Sequence, residues 1–248
     1  MRDTRLSMGM PVTVEVADES ATAETLEDVF SFFESVDERM STYKPDSEIS
    51  RINRGELSPG EYSQDMRDIF ALAEKTKRET DGYFDIRTPA GTLDPSGIVK
   101  GWAIREAASR LKAAGHENFF VDAGGDVASQ GVNRAGEPWS VGIRNPFSRD
   151  EIVKVIYPRG QGVATSGNYI RGNHIYDPHA PGKAPDELVS LTVVGPDVLE
   201  ADRFATAAFA MGKKGLAFIA NLSGFEGYGI TPDKVATMTD GWNALAIP

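Results

Sequence analysis

The segment from Leu199 to Met211 constrains the fold most, because its side chains are apolar around most of a helix. Its polar exceptions are Glu200, Asp202, Arg203 and Thr206. A helix that is apolar on most of its circumference has to be covered by other elements on several sides. We therefore expect this helix to be largely buried in the folded protein.

The rest of the chain mixes the period of strands with the period of helices. Residues 10–16, "MPVTVEV", alternate apolar and polar as a half-buried strand does. A helix is predicted after Ser20, and its apolar stripe consists of Leu26, Val29, Phe30, Phe33, Val36 and Met40. Two more helices are predicted over 63–80 and 97–114, the second of them stopping at Gly115. They are followed by predicted strands near 118–123, 139–144, 151–157, 162–166 and 188–195, the helix of 199–212, another short helix and small strands up to the terminal "NALAIP".

This order is neither a regular βαβ alternation nor an all-β pattern. It predicts an α+β fold with a mixed, largely antiparallel sheet packed against several helices. The sequence has no internal repeat and no low-complexity linker, and the proline-rich stretch "DPHAPGKAPDE" is too short to divide domains. We expect a single domain over residues 1–248.

Composition excludes several classes of protein. The formal charge of −11 and the absence of a basic run argue against binding to nucleic acid, which needs clustered Lys and Arg. Without cysteine there is no disulfide, thiolate metal site, cysteine nucleophile or lipobox. No window approaches the roughly 20 apolar residues of a membrane span, and no signal peptide is visible. We expect no transmembrane segment, and a cytoplasmic protein and a trimmed exported domain both remain open.

Familiar catalytic signatures are also missing. The sequence has no phosphate loop, no dinucleotide fingerprint, no zinc helix and no nucleophile elbow. Only His116, His174 and His179 could supply imidazole ligands. Any metal is therefore expected to be a hard cation held by oxygen atoms.

Asp202 and Thr206 lie four residues apart on the helix predicted to be buried. This spacing puts a carboxylate and a hydroxyl on one face, about 5 to 6 Å apart at Cβ, which suits coordination of Mg²⁺. The alternative is structural: Asp202 shares a solvated stripe with Glu200 or caps a loop, and Thr206 hydrogen-bonds back to its own helix. The spacing alone leaves both interpretations open.

The stretch "TLDPSGIVKGWA", residues 92–103, places Lys100 near the start of a predicted helix. A lysine there opposes the positive end of the helix dipole, unless an anion binds at that end. Asp94 and Pro95 are explained as a helix entry, with Ser96 as the N-cap. This explanation leaves Lys100 and Gly101 without a role, whereas a bound diphosphate would account for the lysine.

Four further stretches carry aromatic, acidic or glycine residues: "MSTYKPDSEISRIN", "DGYFDIRTP", "VDAGGDVASQG" and "ATSGNYIRGNHIYDP". Taken singly, each aromatic is explained by packing and His174 by a surface or hydrogen-bonded position. Together with "MGM", "LDPSGIVKGWA", "SLTVVGPD" and "EADRFATAAFAMG", they extend in one order over almost the whole chain. With these motifs in this order, the chain resembles the ApbE-like flavin transferases, also called FAD:protein FMN transferases.

The resemblance implies a fold, a substrate and a metal. The fold is an ApbE-like (T-fold-like) architecture. Members of the family bind FAD and Mg²⁺, cleave the FAD diphosphate and attach FMN through a phosphoester to a Thr or Ser hydroxyl of an acceptor flavoprotein, releasing AMP. Carried over by motif, Mg²⁺ is held by the side chains of Asp202 and Thr206 and the backbone carbonyls of Gly97 and Ala205. FAD contacts are implied for Met8, Tyr43, Tyr83, Phe84, Asp85, Asp94, Lys100 and Tyr176.

Phosphoryl chemistry assigns roles to part of this set. Lys100 and Mg²⁺ would neutralise charge on the transferred phosphoryl group and on departing AMP. The acceptor hydroxyl needs a base within hydrogen-bond reach, for which His174 is the candidate, with Asp177 as its orienter or substitute. Two other functions remain in play: an FAD diphosphatase that releases FMN and AMP, and a flavin-binding protein without catalysis.

The sequence departs from the usual pattern of the family at two places. Only Ala90, Gly91 and Thr92 separate "GYFDIRTP" from "LDPSGIVKG", where the family commonly has a longer segment. The loop after "HIYDP" reads "HAPG", where relatives often have an Arg-Thr-Gly run. At the shortened segment, part of the lid or flavin pocket is therefore expected to be reduced or supplied elsewhere. At the "HAPG" loop, the substrate contacts of the family are not carried over to this chain.

Overall fold

The computed structural model describes residues 1–148, 150–168, 175–180 and 185–247 of the chain. His174, the predicted base, lies outside these residues. The strands are β1 (Arg2–Ser7), β2 (Met10–Val16), β3 (Phe119–Ala123), β4 (Asp126–Gln130), β5 (Val141–Arg144), β6 (Ile152–Ile156), β7 (Gly162–Gly167), β8 (Ser190–Gly195), β9 (Glu226–Ile230) and β10 (Ala236–Met238). The helices are α1 (Ala23–Met40), α2 (Glu48–Asn53), α3 (Gln64–Glu79), α4 (Ser96–Ala113), α5 (Val198–Ala210) and α6 (Lys213–Ala220), with short 3₁₀ helices at Pro59–Glu61 and Trp242–Ala246.

Most strands join one sheet with the spatial order β1-β2-β3-β4-β7-β8-β9-β10, whereas β5 and β6 form a separate hairpin. Every strand pair in the described part of the chain is antiparallel. The break between β4 and β7 in the sequence is the point where the chain leaves the sheet to make the hairpin. This observation confirms the predicted α+β fold with a largely antiparallel sheet.

Helix starts follow the local sequence. Thr22 caps α1, Ser63 caps α3 and Asp197 caps α5, each by accepting a hydrogen bond from a backbone N–H of the first turn. The start of α4 differs from the prediction, because Pro95 takes the N-cap position without a side-chain cap and Ser96 is already helical. The first turn of α4 is thus entered from a proline, whose fixed φ suits a helix start.

Both faces of the large sheet are covered. Helices α1 and α4 pack on β2 and β3, and α5 packs on β7 and β8, all on one face. The opposite face is covered by the β5-β6 hairpin and the C-terminal 3₁₀ helix around Trp242. Strand β8 is consequently buried along its whole length, and its residues are apolar or small, without a charged side chain.

The prediction for residues 199–211 is confirmed, because α5 is buried along almost its entire length. Four elements were not expected: β1, β4, the short helix α2 and the 3₁₀ helix Pro59–Glu61. The chain also ends in the 3₁₀ helix Trp242–Ala246, where a strand was predicted. Strand β1 escapes detection because its apolar residue Leu6 is 80% exposed, so the strand has no buried face of its own. No described helix is long and apolar enough to cross a membrane. The single-domain interpretation stays a prediction.

Candidate functional site

A cavity of about 590 Å³ opens where α4 and α5 meet the end of β7 and the loop after α3. This volume lies within the range of about 300 to 1,000 Å³ that is usual for small-molecule sites. Its walls contain many of the residues predicted to bind a nucleotide or a metal. They are Tyr83, Phe84, Asp85, Asp94, Gly97, Lys100, Tyr176, Asp202 and Thr206.

The centre of the cavity is an ion cluster of Lys100, Asp126 and Asp202. Nζ of Lys100 lies 2.6 Å from Oδ2 of Asp126 and 3.5 Å from Oδ1 of Asp202. The two carboxylates are almost completely buried, with side-chain exposures of 1% and 3%. Two buried carboxylates therefore surround the lysine, which answers part of the question of why a lysine stands in the second turn of α4.

Backbone groups fix both carboxylates. The N–H of Gly101 donates to Oδ2 of Asp202 over 2.8 Å, and the N–H of Thr165 donates to Oδ1 of Asp126 over 3.0 Å. Oδ1 of Asp202 and Oδ2 of Asp126 are the oxygens left facing the lysine. The orientation of each carboxyl plane is set by a strand or a helix and not by a loop, which gives the cluster a defined geometry.

Glycine is required at position 101. A Cβ atom there would lie 2.7 Å from Cβ of Asp202 and 3.0 Å from Cα of Leu199. Helices α4 and α5 can approach this closely only because the side chain is absent. The glycine without a role in the sequence is thus the contact point that brings Lys100 to Asp202.

Burial controls the ionisation of the acids. It raises the pKa of Asp202 to about 7; Lys100 opposes the rise, and the Asp126 carboxylate adds to it. Burial also raises the pKa of Asp122, a further lining residue whose Oδ1 accepts a hydrogen bond from the N–H of Gly125. Burial thus favours the neutral form of Asp122 and Asp202, and a bound cation would stabilise their ionised form.

The donor atoms around Asp202 fit a hard cation. Thr206 lies one turn after Asp202 in α5. Oγ of Ser166 is 3.5 Å from Oγ1 of Thr206. A Cβ added to Gly97 would lie 3.4 Å from Cγ2 of Thr206, so the first turn of α4 faces the same point. Carboxylate, hydroxyl and carbonyl oxygens are the ligands that Mg²⁺ prefers.

The described ranges contain no group of three His, Cys, Asp or Glu side chains arranged to hold a metal. The predicted set does not need one, since it combines a single carboxylate with a hydroxyl and backbone carbonyls. The side chain of Ala205 packs in the apolar cluster between α5 and the sheet, away from the cavity lining. Whether its carbonyl binds a metal stays a prediction.

The loop after α3 forms the opposite wall. Asp85 is held by Nζ of Lys77 at 2.7 Å and by the N–H of Arg87 at 2.8 Å. The hydroxyl of Tyr176 donates to the carbonyl of Arg87 over 2.9 Å, which joins the segment 175–180 to this loop. Asp94 accepts from the N–H of Ser96 at 3.0 Å and shapes the entry into α4. Each of these predicted residues has a structural partner as well as a place on the wall.

Besides Ala205, three predicted residues in the described part of the chain do not line the cavity. Met8 has a φ of 51° in the turn between β1 and β2 and packs against the core, whereas its neighbour Met10 reaches the cavity. Tyr43 follows α1 and is 95% exposed. Asp177 accepts a hydrogen bond from the N–H of His179. The roles predicted for these three residues stay predictions.

Sequence reasoning missed Asp126 and Asp122. Both belong to "VDAGGDV", a stretch in which no site residue was predicted. It forms the tight β3-β4 turn, in which Gly124 and Gly125 adopt φ values of 64° and 101°. Two acids that flank a turn at the end of a buried hairpin were the available signal, because a buried carboxylate normally has a partner.

Comparison with known proteins identifies the family of this chain. The family model described as the ApbE family matches residues 8–90 and 86–228. The chain belongs to the ApbE family, which confirms the family predicted from the motifs.

Curated relatives include proteins named FAD:protein FMN transferase. The one from Vibrio cholerae is 27% identical over 252 residues, which cover 78% of this chain and 75% of the relative. The one from Escherichia coli K12 is 26% identical and covers 87% of this chain and 79% of the relative.

Solved structures show the same fold. The flavin transferase ApbE from Vibrio cholerae superposes with a TM-score of 0.86 at 24% identity, covering 99% of this chain and 98% of that one. The ApbE protein from Thermotoga maritima gives a TM-score of 0.87 at 20% identity, covering 100% and 99%. The ApbE-like architecture expected from the motifs is therefore confirmed.

Proposed function

We propose that this chain is an FAD:protein FMN transferase, which moves FMN from FAD onto a Thr or Ser hydroxyl of an acceptor flavoprotein and releases AMP. The observation that carries the proposal is the buried cluster of Lys100, Asp126 and Asp202 beside Thr206, in a cavity of nucleotide size. The name shared by the curated relatives supports the same activity.

The reaction exchanges the phosphoanhydride bond of the FAD diphosphate for a phosphoester bond to the acceptor hydroxyl oxygen. The acceptor hydroxyl oxygen forms a bond to the phosphorus of the FMN half, while the bond from that phosphorus to the bridging oxygen breaks. AMP leaves with the electron pair, and the hydroxyl proton passes to a base. His174 is the proposed base, and Asp177 is proposed to orient it or to replace it.

Different residues of the cavity are proposed to bind the nucleotide and to neutralise charge. Tyr83, Phe84, Asp85 and Tyr176 are proposed to hold the nucleotide against the wall after α3. Two carboxylates hold Lys100 at the centre of the cavity. In this position its ammonium can neutralise the charge of the departing phosphate. Because water is excluded around the buried carboxylates, these electrostatic contacts are stronger than they would be in solution.

Asp202 and Thr206, with the carbonyls of Gly97 and Ala205, are the residues proposed to hold Mg²⁺. When bound, such a cation polarises the phosphoryl oxygens and lowers the barrier to attack. The raised pKa of Asp202 supports this assignment, because a carboxylate that is costly to ionise alone becomes a good ligand when a cation compensates its charge.

The test is to incubate the protein with FAD, Mg²⁺ and a threonine-bearing acceptor domain, following AMP release and flavin fluorescence on a denaturing gel. A fluorescent acceptor band that disappears with EDTA supports the transferase. AMP accompanied only by free FMN would point to a diphosphatase or a wrong acceptor. Bound FAD without AMP release would indicate a flavin carrier and would contradict the proposal.

A further inference from the structure

Arg203 follows Asp202 in α5 and is one of the largest fully buried side chains in the described part of the protein, at 2% exposure. Its guanidinium donates to both carboxylate oxygens of Glu200 within α5. It also donates to the carboxylate of Glu79 and, over 3.2 Å, to Oγ1 of Thr76, which both belong to α3. One buried side chain therefore joins the C-terminal end of α3 to α5.

The wall of the cavity after α3 is rigidly connected to this end of the helix. The hydroxyl of Thr80 donates to the carbonyl of Thr76 over 2.8 Å and accepts from the N–H of Phe84 over 3.2 Å. Gly82 donates to the carbonyl of Lys77 over 2.8 Å. Nζ of Lys77 in turn holds Asp85. Residues 82–85 therefore follow any movement of the last turn of α3.

The two helices joined by Arg203 carry opposite walls of the same cavity. Asp202 and Thr206 line it from α5, and Tyr83, Phe84 and Asp85 line it from the loop after α3. A ring carbon of Phe84 would lie 3.0 Å from a Cβ added to Gly97, so this loop also packs directly on the start of α4. The distance between the walls thus depends on how α3 sits on α5.

We propose that Arg203 is a positioning residue for FAD: by tying α3 to α5 it fixes the loop of Tyr83, Phe84 and Asp85 at the correct distance from Asp202 and Thr206. The inference rests on the proposed function, since the nucleotide is taken to be FAD. Arg203 does not line the cavity itself and acts through Thr76 and Glu79. Displacing this wall would weaken contacts that FAD makes equally in the ground state and the transition state, which raises KM and leaves kcat nearly unchanged.

Stability alone is a weak explanation for this cluster. Buried ion pairs often contribute little net stability compared with apolar side chains of similar volume, because both charges must be desolvated. Burial acts to lower the pKa of Arg203, but hydrogen bonds with Glu200 and Glu79 outweigh it and raise the pKa, so the guanidinium stays charged. A fork-shaped charged donor with partners on two helices specifies their relative position better than apolar packing does.

The chain offers a matched pair of variants. Glu79→Gln and Glu200→Gln make the same chemical change, and each weakens one carboxylate contact of the same guanidinium. Only Glu79 belongs to α3, and both side chains are partly exposed, at 37% and 25%, so both variants are expected to fold. If Arg203 only stabilises α5, Glu200→Gln should impair the protein more than Glu79→Gln. If Arg203 positions the loop, Glu79→Gln should impair FAD binding more than Glu200→Gln.

Two measurements separate these outcomes. The first is hydrogen exchange of the peptide covering residues 80–87 in the protein without FAD, and the second is the dependence of AMP release on FAD concentration. We expect Glu79→Gln to accelerate exchange in this peptide and to raise KM for FAD about five- to tenfold, with kcat within about twofold. Glu200→Gln should leave both close to the wild-type values.

Arg203→Met and Arg203→Lys complete the series, with a larger rise in KM for Met and a partial rescue by Lys. Equal exchange of the 80–87 peptide in wild type and Glu79→Gln would overturn the inference, even if the Arg203 variants fail to fold. Faster exchange without a change in KM would overturn the role in FAD positioning. A wild-type protein that releases no AMP from FAD would overturn the proposed function and, with it, the assignment of FAD to this loop.

Discussion

The backbone N–H of Gly101 donates a 2.8 Å hydrogen bond to Oδ2 of Asp202, joining α4 to α5 at the floor of the cavity. This bond requires the two helix backbones to approach so closely that no side chain fits at position 101. It places Lys100, one residue earlier, beside the carboxylates of Asp126 and Asp202. The electrostatic centre of the site therefore depends on a glycine.

Gly101→Ala should push α4 and α5 apart, because the new Cβ would overlap Asp202 and the backbone of Leu199. We expect the free energy of unfolding to fall by about 1 to 3 kcal/mol and AMP release to fall more than tenfold, measured by urea denaturation and by turnover. Gly60→Ala is the matched control, since a Cβ there meets no atom within 4 Å. Wild-type turnover in Gly101→Ala would contradict the role of this close contact.

Asp202→Asn should stabilise the protein in EDTA at pH 8. The pKa of Asp202 is raised to about 7 in the folded protein from 3.8, so the folded state binds more protons and stability falls as the pH rises from about 4 to 7. The asparagine carries no charge, so the variant does not lose stability in this pH range. We expect its free energy of unfolding at pH 8 to exceed that of the wild type by about 1 to 3 kcal/mol. Part of the gain is offset because Lys100 loses one charged partner. Thermal melts at pH 4 and pH 8 test this, and a difference between variant and wild type that does not grow with pH would refute it.

The same substitution should abolish metal-dependent turnover. A variant that is more stable and inactive would separate the function of this carboxylate from its effect on folding. Unchanged turnover in Asp202→Asn would exclude Asp202 as a ligand.

Asp126→Asn tests the residue that the sequence did not identify. The amide keeps the acceptor for the N–H of Thr165 but removes the negative charge 2.6 Å from Lys100. We expect kcat for AMP release to fall about 10- to 100-fold because the lysine is no longer held at the centre of the cavity. Asp65→Asn, which weakens a surface pair with Arg39, is the control and should keep wild-type kcat.

Thr206→Val should weaken metal binding without disturbing the shape of α5. Valine has nearly the same size as threonine and lacks the hydroxyl, so we expect the affinity for Mn²⁺, used as a paramagnetic substitute for Mg²⁺, to fall about 10- to 100-fold. Thr192→Val is the control, since it makes the same chemical change at a buried threonine that does not line the cavity. Equal Mn²⁺ binding by the two variants in EPR titrations would argue against Thr206 as a ligand.

Periodicity predicted the helices and strands whose apolar residues face the interior. The stripe of α1 and the apolar circumference of α5 were visible because burial imposes a period on the sequence. Strand β1 has no such period, since its apolar residue Leu6 points to solvent, and α2 is too short to establish one. Elements held mainly by backbone pairing or by a single turn leave little trace in an amphipathic pattern.

The site was predictable where motif and chemistry coincide. Asp202, Thr206, Lys100 and the aromatic pair at Tyr83 and Phe84 were identified from local stretches, and all of them line one cavity. Arg203 stood among the few polar residues of an otherwise apolar helix, but its partners in α3 lie far away in the sequence. Nothing local could indicate which helix it would join.

The sequence by itself determined the fold class, the family and the types of residue in the site, because each of these depends on spacing along the chain. The tertiary structure alone decided that Asp126 and Asp202 share Lys100, that Gly101 is the point of contact, and that Arg203 connects two walls of one cavity. These relationships join residues separated by up to 127 positions. They depend on how elements pack in space, and the free energy of such contacts is set by burial and geometry that no local pattern encodes.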